Sequence, residues 1–180
     1  MAGTRHIALL RGINLGARNR VSMPELRELL TRHGYEDVQT LLQSGNVVLT
    51  SDRAPDDLAT ALARQIADGL GVETPVVVRT REELADVIAR DPFGPSAANP
   101  KRYQVTFLSG DPDPAAVREL EDGDFGAEQV VVSGREIYAW HPDGIQRSTL
   151  ARLLSDRKLG VVATARNWST VTKLHELAAG

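Results

Sequence analysis

The two halves of this chain carry the same punctuation at the same spacing. Ser44-Gly45 has a counterpart in Ser133-Gly134 at an offset of 89 residues, and Leu70-Gly71 has one in Leu159-Gly160 at the same offset. The opening apolar runs match at an offset of 98, with Ile7 on Val105, Leu10 on Leu108 and Gly12 on Gly110. The first half therefore holds nine more residues between its first strand and its hairpin. A repeat of this kind restricts the fold, because whatever one half forms the other must form as well.

Each half reads as βαββαβ. In the first, Ile7 to Leu10 is a buried strand, and Met23, Leu26, Leu29 and Leu30 form a helical stripe stopped by Gly34. Two apolar runs around Ser44-Gly45-Asn46 form a hairpin. Pro55 opens a helix carrying Leu58, Leu62, Ile66 and Leu70 that ends at Gly71, and Pro75 to Arg79 is a strand. In the second, Tyr103 to Leu108, a helix from Asp113-Pro114, a hairpin about Gly134, a helix over Ser148 to Lys158 and a strand over Gly160 to Arg166 repeat the order. Asn167 caps a terminal helix.

The fold class expected is α+β, a tandem duplication of two ferredoxin-like βαββαβ units with sheet order 4-1-3-2. The boundaries are 1–80, a helix and extended Pro-rich linker over 81–100, and 101–180. In this order the loop leaving the first strand and the hairpin lie at one end of the sheet. Arg11 to Asn14 should therefore neighbour Gln43 to Asn46.

That loop is the chemically distinctive stretch. Arg11, Gly12, Asn14, Gly16, Arg18, Asn19 and Arg20 precede Ser22-x-x-Glu25, a capping-box signature, and the loop holds no acid. Glycines admit backbone N–H groups to an anion, and guanidinium groups grip phosphate or carboxylate in a fork. It is neither a Walker loop nor a dinucleotide fingerprint. Ser44 is not a nucleophile elbow, because its turn leads into a strand rather than a helix. Gln43, Ser44 and Asn46 remain candidate ligand contacts. Arg166 and Asn167 stand where a strand enters a helix, with Asn167 as N-cap, Arg166 as a second anion contact and Trp168 as core.

Composition removes other chemistries. The net charge is −3, but seven acids lie in 111–128 against one arginine, whereas 1–20 carries four arginines and no acid. The acidic stretch reads as a solvated face. There is no cysteine, and the histidines at 6, 33, 141 and 175 lack metal-ligand spacing, so no metal site is expected. The first and third strands have no aromatics for stacking RNA. No apolar run reaches a membrane span and no signal-peptide core is present, so a cytoplasmic location without membrane partners is expected.

LLRGIN (9–14), the basic loop to Val21-Ser22-Met23, QSGNVV (43–48) and ARNWSTVTKL (165–174) resemble the bacterial domain-of-unknown-function family 1697. The resemblance implies a tandem α+β fold and supplies no catalytic residues. Its recurrent polar positions match Arg11, Gly12, Asn14, Gln43, Ser44, Gly45, Asn46, Arg166, Asn167 and Trp168. Ala17, Leu41 and Ala165 depart from the usual glycine, tyrosine and threonine. Three functions follow as expectations. The first is binding of a phosphorylated or other anionic ligand, either a small molecule or a nucleic acid. The second is an enzyme using Arg11 and Arg166 as electrostatic stabilisers. The third is an assembly module that has no ligand.

Overall fold

The N-terminal apolar run becomes the inner strand of a sheet. The computed structural model describes residues 3–180. It begins with β1 (Thr4–Leu10), whose Ile7 to Leu10 are all at most 1% exposed. Beyond the arginine loop, α1 (Met23–Arg32) starts at Ser22, whose Oγ accepts from Glu25 N at 3.4 Å. Pro24 sits in its first turn, where no intrahelical N–H is needed. The hairpin strands β2 (Glu36–Leu41) and β3 (Asn46–Ser51) follow, then α2 (Pro55–Leu70) and β4 (Val76–Thr80). Gly71 ends α2 in the left-handed region at φ 67°, donating to Ala67 O. The sheet order is β2-β3-β1-β4, antiparallel throughout.

Strand alternation divides this sheet into two buried faces. Ala8, Leu10, Val47, Leu49, Val76 and Val78 pack with Met23, Leu26, Leu30, Leu58, Leu62 and Ile66 from the helices. Ile7, Leu9, Val48 and Val77, on the other face, are also buried. Strands covered on both sides read as continuous apolar runs, which is why IALL and VVV lack the polar alternation of a half-exposed sheet.

Next comes α3 (Arg81–Ala89), where Thr80 Oγ1 caps Glu83 N at 3.1 Å. The Pro-rich stretch beyond it is folded rather than extended. Asp91 Oδ1 accepts from Phe93 N and Gly94 N, both at 3.1 Å, and Gly94–Ser96 is a 3-10 turn. The Phe93 ring then reaches Tyr103, with centroids 5.4 Å apart.

The second sheet repeats the first. It is built from β5 (Tyr103–Leu108), α4 (Pro114–Asp122), β6 (Gln129–Ser133) and β7 (Glu136–Trp140). The short helices α5 (Thr149–Arg152) and α6 (Asp156–Leu159), strand β8 (Ala163–Asn167) and α7 (Trp168–Ala179) complete the chain. Its order is β6-β7-β5-β8, again antiparallel. Leu108, Ile137, Ala139 and Ala163 pack with Leu120, Leu150 and Leu159. The strand pairing is repeated with a shift of one residue past the Ser-Gly match. Leu10 N donates to Gly45 O at 2.8 Å, and its counterpart Leu108 N donates to Arg135 O at 2.9 Å.

The helix expected over Ser148 to Lys158 is broken. Ser155 Oγ accepts from Lys158 N at 3.3 Å and so starts a new helix where the first would have continued. The last strand begins at Ala163 rather than Gly160, since Gly160 is the left-handed cap of α6 at φ 76°. The chain divides into two compact units, one running from the N-terminus to Ala85 together with Leu174–Gly180, the other Asp86–Lys173. No helix among the described residues is long and apolar enough to cross a membrane.

Candidate functional site

The arginine loop is tightly determined by its own hydrogen bonds. Ile13 and Val21 are buried and anchor its ends in the first core. Asn14 lies at φ 56° and Asn19 at φ 53°, left-handed conformations that asparagine tolerates better than other non-glycine residues. Asn14 Oδ1 accepts from Val21 N at 2.9 Å, and its Nδ2 donates to Val21 O at 3.0 Å and to Gln43 O at 2.6 Å. Its backbone N–H donates to Asn19 O at 3.0 Å, while Asn19 Nδ2 reaches Gly12 O at 3.4 Å. At the loop's start, Thr74 Oγ1 accepts from Arg11 N at 3.1 Å and donates to Arg11 O at 2.7 Å.

The bond from Asn14 to Gln43 places the loop beside the hairpin, as the strand order required. The hairpin turn is a four-residue loop over 42–45, with Leu42 at φ 62° and Gly45 at φ 93°. Gly45 is needed here. A Cβ would lie 2.7 Å from Leu10 Cβ and 3.0 Å from Ile13 Cδ1, so no other residue fits without displacing the core. Asn46 is fully buried and closes the turn by donating to Leu41 O at 2.9 Å and Ser44 Oγ at 3.0 Å.

The family described as Protein of unknown function (DUF1697) matches residues 3–138, which include this loop and hairpin. The chain belongs to that family. Across the whole DUF1697 chain the fold is similar to the solved structure of the conserved bacterial protein SP0830 from Streptococcus pneumoniae. The two share 22% sequence identity with a TM-score of 0.78, covering 97% of this chain and 98% of the other. No curated protein matches. Neither finding assigns an activity, and the function of this DUF1697 protein is unknown.

Of the residues expected at the site, Arg18, Arg20 and Gln43 are exposed, with no side-chain hydrogen bond or ion pair among the described residues. Leu15 in the loop and Leu42 in the hairpin turn are 76% and 56% exposed. Arg11 is half-buried and Gly12, at φ 71°, is open to solvent. The amides of Asn14 and Asn46 hold the chain itself. Arg166 and Asn167 belong to the second unit of the DUF1697 chain. Asn167 Oδ1 accepts from Thr170 N at 2.9 Å, the N-cap of α7. Arg166 is only 8% exposed, and its Nη1 donates to Thr164 Oγ1 at 2.7 Å and Ala165 O at 2.9 Å. Burial lowers its pKa to about 10. Trp168 stacks on Tyr103 at 4.6 Å and 8°, an intramolecular contact in keeping with its expected packing role.

Two polar clusters in the second unit were not foreseen. Glu128, expected on a solvated face, is instead drawn inward. His141 Nδ1 lies 2.5 Å from its Oε2, and Ser148 Oγ donates to the same oxygen at 2.5 Å. These three residue types occur in hydrolytic triads, but here the hydroxyl and the carboxylate meet the same ring nitrogen. The other nitrogen, Nε2, is buried without a hydrogen-bond partner. A triad requires the nucleophile on the far nitrogen, so this arrangement pins loops and cannot relay a proton to serine. In the second cluster Arg90 Nη2 bonds Glu136 Oε1 at 2.7 Å, a contact that raises the arginine's pKa. Spacing along the sequence could not reveal either cluster. No group of three or more potential metal-ligating side chains occurs among the described residues.

Proposed function

We propose that this protein binds a phosphorylated or otherwise anionic ligand at the arginine loop. The observation that carries this reading is the contrast within the loop. Its backbone is held by the Asn14 and Asn19 bonds, whereas Arg18 and Arg20 point into solvent with no acid beside them. A rigid loop presenting unpaired guanidinium groups loses little entropy when it takes an anion. Leu15 and Leu42 offer an apolar rim to the rest of the ligand. Arg166 is buried in its strand, where its guanidinium donates to Thr164 Oγ1 and Ala165 O.

The reading extends to the fold and setting. In this reading residues of about 1–80 and 101–180 are tandem ferredoxin-like copies, and the protein works in the cytoplasm. A ligand-free assembly role is the second reading, favoured by the way Asn14, Asn46 and Asn167 turn their amides onto their own chain.

Calorimetric titration with pyrophosphate, adenosine triphosphate and a short single-stranded oligonucleotide separates these readings. Each charge-assisted bond contributes about 1.5–3 kcal/mol, so Arg18→Ala or Arg20→Ala should weaken binding by roughly tenfold or more. Binding of the oligonucleotide alone, falling steeply with salt, would identify a nucleic acid ligand. Absence of binding to all three probes, or binding untouched by both substitutions, leaves the assembly role.

A further inference from the structure

A sheet with open edges offers unpaired backbone groups to any other strand, and three of the four edges here are blocked by an arginine of the chain itself. On β4, Arg11 N donates to Pro75 O, so by antiparallel alternation Val77 and Arg79 face β1 and the Val78 carbonyl faces outward. Arg79 Nη1 donates to that carbonyl at 3.1 Å. On β8, Ser109 N donates to Val162 O, which turns the Ala165 carbonyl outward, and Arg166 Nη1 covers it at 2.9 Å. Arg79 and Arg166 are counterparts in the repeat, opposite Ile7 and Val105 respectively. On β2 the ladder is broken by a bulge between Glu36 and Gln39, with Asp37 at φ 49°, and Arg5 Nη1 donates to Asp37 O at 2.8 Å. Bulges, charge and capped carbonyls are the ordinary means of preventing edge pairing.

The fourth edge, β6, is different: Arg90 Nη1 reaches it only at its last residue, at Ser133 Oγ (2.5 Å) and at the Ser133 carbonyl (3.4 Å) that faces β7, and leaves Val130 to Val132 uncapped. Gln129-Val130-Val131-Val132-Ser133 contains no charge and no proline, and its five pairs with β7 run without a bulge. The turn joining the two strands has Gly134 at φ 61° in its first central position and two residues in all. Such a turn makes Ser133 and Glu136 a hydrogen-bonded pair, so Val130 and Val132 direct their N–H and C=O groups away from β7. Neither residue has another hydrogen-bond partner among the described residues. Among the described residues Val131 is one of three large apolar side chains that stand exposed, at 36%.

We infer that β6 pairs antiparallel with β6 of a second copy, extending the sheet across the two chains. The segment is self-complementary about Val131. Val130 of each chain then meets Val132 of the other in hydrogen-bonded pairs, and Val131 meets Val131. Gln129 faces Ser133, Glu128 faces Gly134 and Ala127 faces Arg135, so no like charges are opposed. An unbulged, uncharged strand suits its own copy, whereas an edge built for a different partner would carry selecting charges.

The contact is small, so the dimer is concentration-dependent, with a dissociation constant on the order of 10 µM to 1 mM. Sedimentation equilibrium over that range should show the 19.5 kDa chain moving toward twice its mass. Amide exchange at Val130 and Val132 should slow as concentration rises. Val132→Pro removes an outward N–H without touching a bond to β7, and Val131→Lys sets two ammonium groups together at the symmetry centre. Each should weaken association by at least about tenfold. Val131→Lys keeps the test open if the proline variant fails to fold. A chain that stays monomeric to about 1 mM overturns the inference. So does a dimer that ignores both substitutions, or one whose formation leaves exchange at Val130 and Val132 unchanged.

Discussion

Replacing Asn14 tests whether the arginine loop is as strongly determined as its bonds suggest. The side chain makes three hydrogen bonds, two with Val21 and one with Gln43 O, at 2.6 to 3.0 Å. Each contributes about 0.5–1.5 kcal/mol net, so their joint loss costs about 2–3 kcal/mol. Alanine must in addition adopt φ 56°, which costs roughly 1 kcal/mol more. Asn14→Ala should therefore destabilise the first unit by about 3–4 kcal/mol, and Asn14→Gly by about 1 kcal/mol less, since glycine accepts the left-handed backbone. Urea dependence of amide exchange at Ile7 to Leu10 measures both within that unit. Anion affinity should fall in both variants although Arg18 and Arg20 are intact, because the loop then orders only on binding. A loss below about 0.5 kcal/mol in Asn14→Ala, or glycine no better than alanine, would show that the loop's shape is set elsewhere.

Gly45→Ala should cost about 2–4 kcal/mol, because its Cβ falls 2.7 Å from Leu10 Cβ and its backbone is left-handed; thermal unfolding measures this. Arg90→Leu should cost about 2–4 kcal/mol and be insensitive to salt, as Glu136 is 8% exposed and loses its guanidinium; denaturation at low and high salt checks both points. His6 is buried with Nδ1 donating to Thr4 O, and burial lowers its pKa below 6.5. The folded state thus binds fewer protons than the unfolded one. Stability from this residue is complete above pH 6.5 and declines as pH falls through 6.5 toward the folded value. In His6→Gln that part of the slope should vanish from denaturation midpoints measured between about pH 7 and 5.

The fold was legible because both halves repeat their glycines and apolar runs, and βαββαβ admits few sheet orders. Strand order alone predicted that Asn14 would lie beside the hairpin, and the bond to Gln43 O bears this out. Local cap chemistry was readable too, at Ser22 and Asn167. What escaped was whatever depends on contacts between distant residues. The apolar spacing over Ser148 to Lys158 runs on through Ser155, so the break appears only once Ser155 Oγ is seen capping Lys158. Glu128 is in an acidic stretch, yet it turns inward because His141 and Ser148, far along the chain, meet it. Asn14 and Asn46 look like ligand contacts in a polar motif. Their bonds to carbonyl groups across the loop and turn give them structural work that composition alone cannot distinguish from recognition.

The stacking of Trp168 on Tyr103 also has an optical consequence. Both tryptophans, Trp140 and Trp168, fall in the unit Asp86–Lys173, and the other unit contains none. Indole emission therefore watches one half of the molecule, and Trp168 reports whether the ring stack beside Tyr103 is intact. Circular dichroism reports both halves together. Recorded on one sample during unfolding, the two signals act as separate clocks: coincident curves mean the halves melt as one body, and a lag between them times the loss of each.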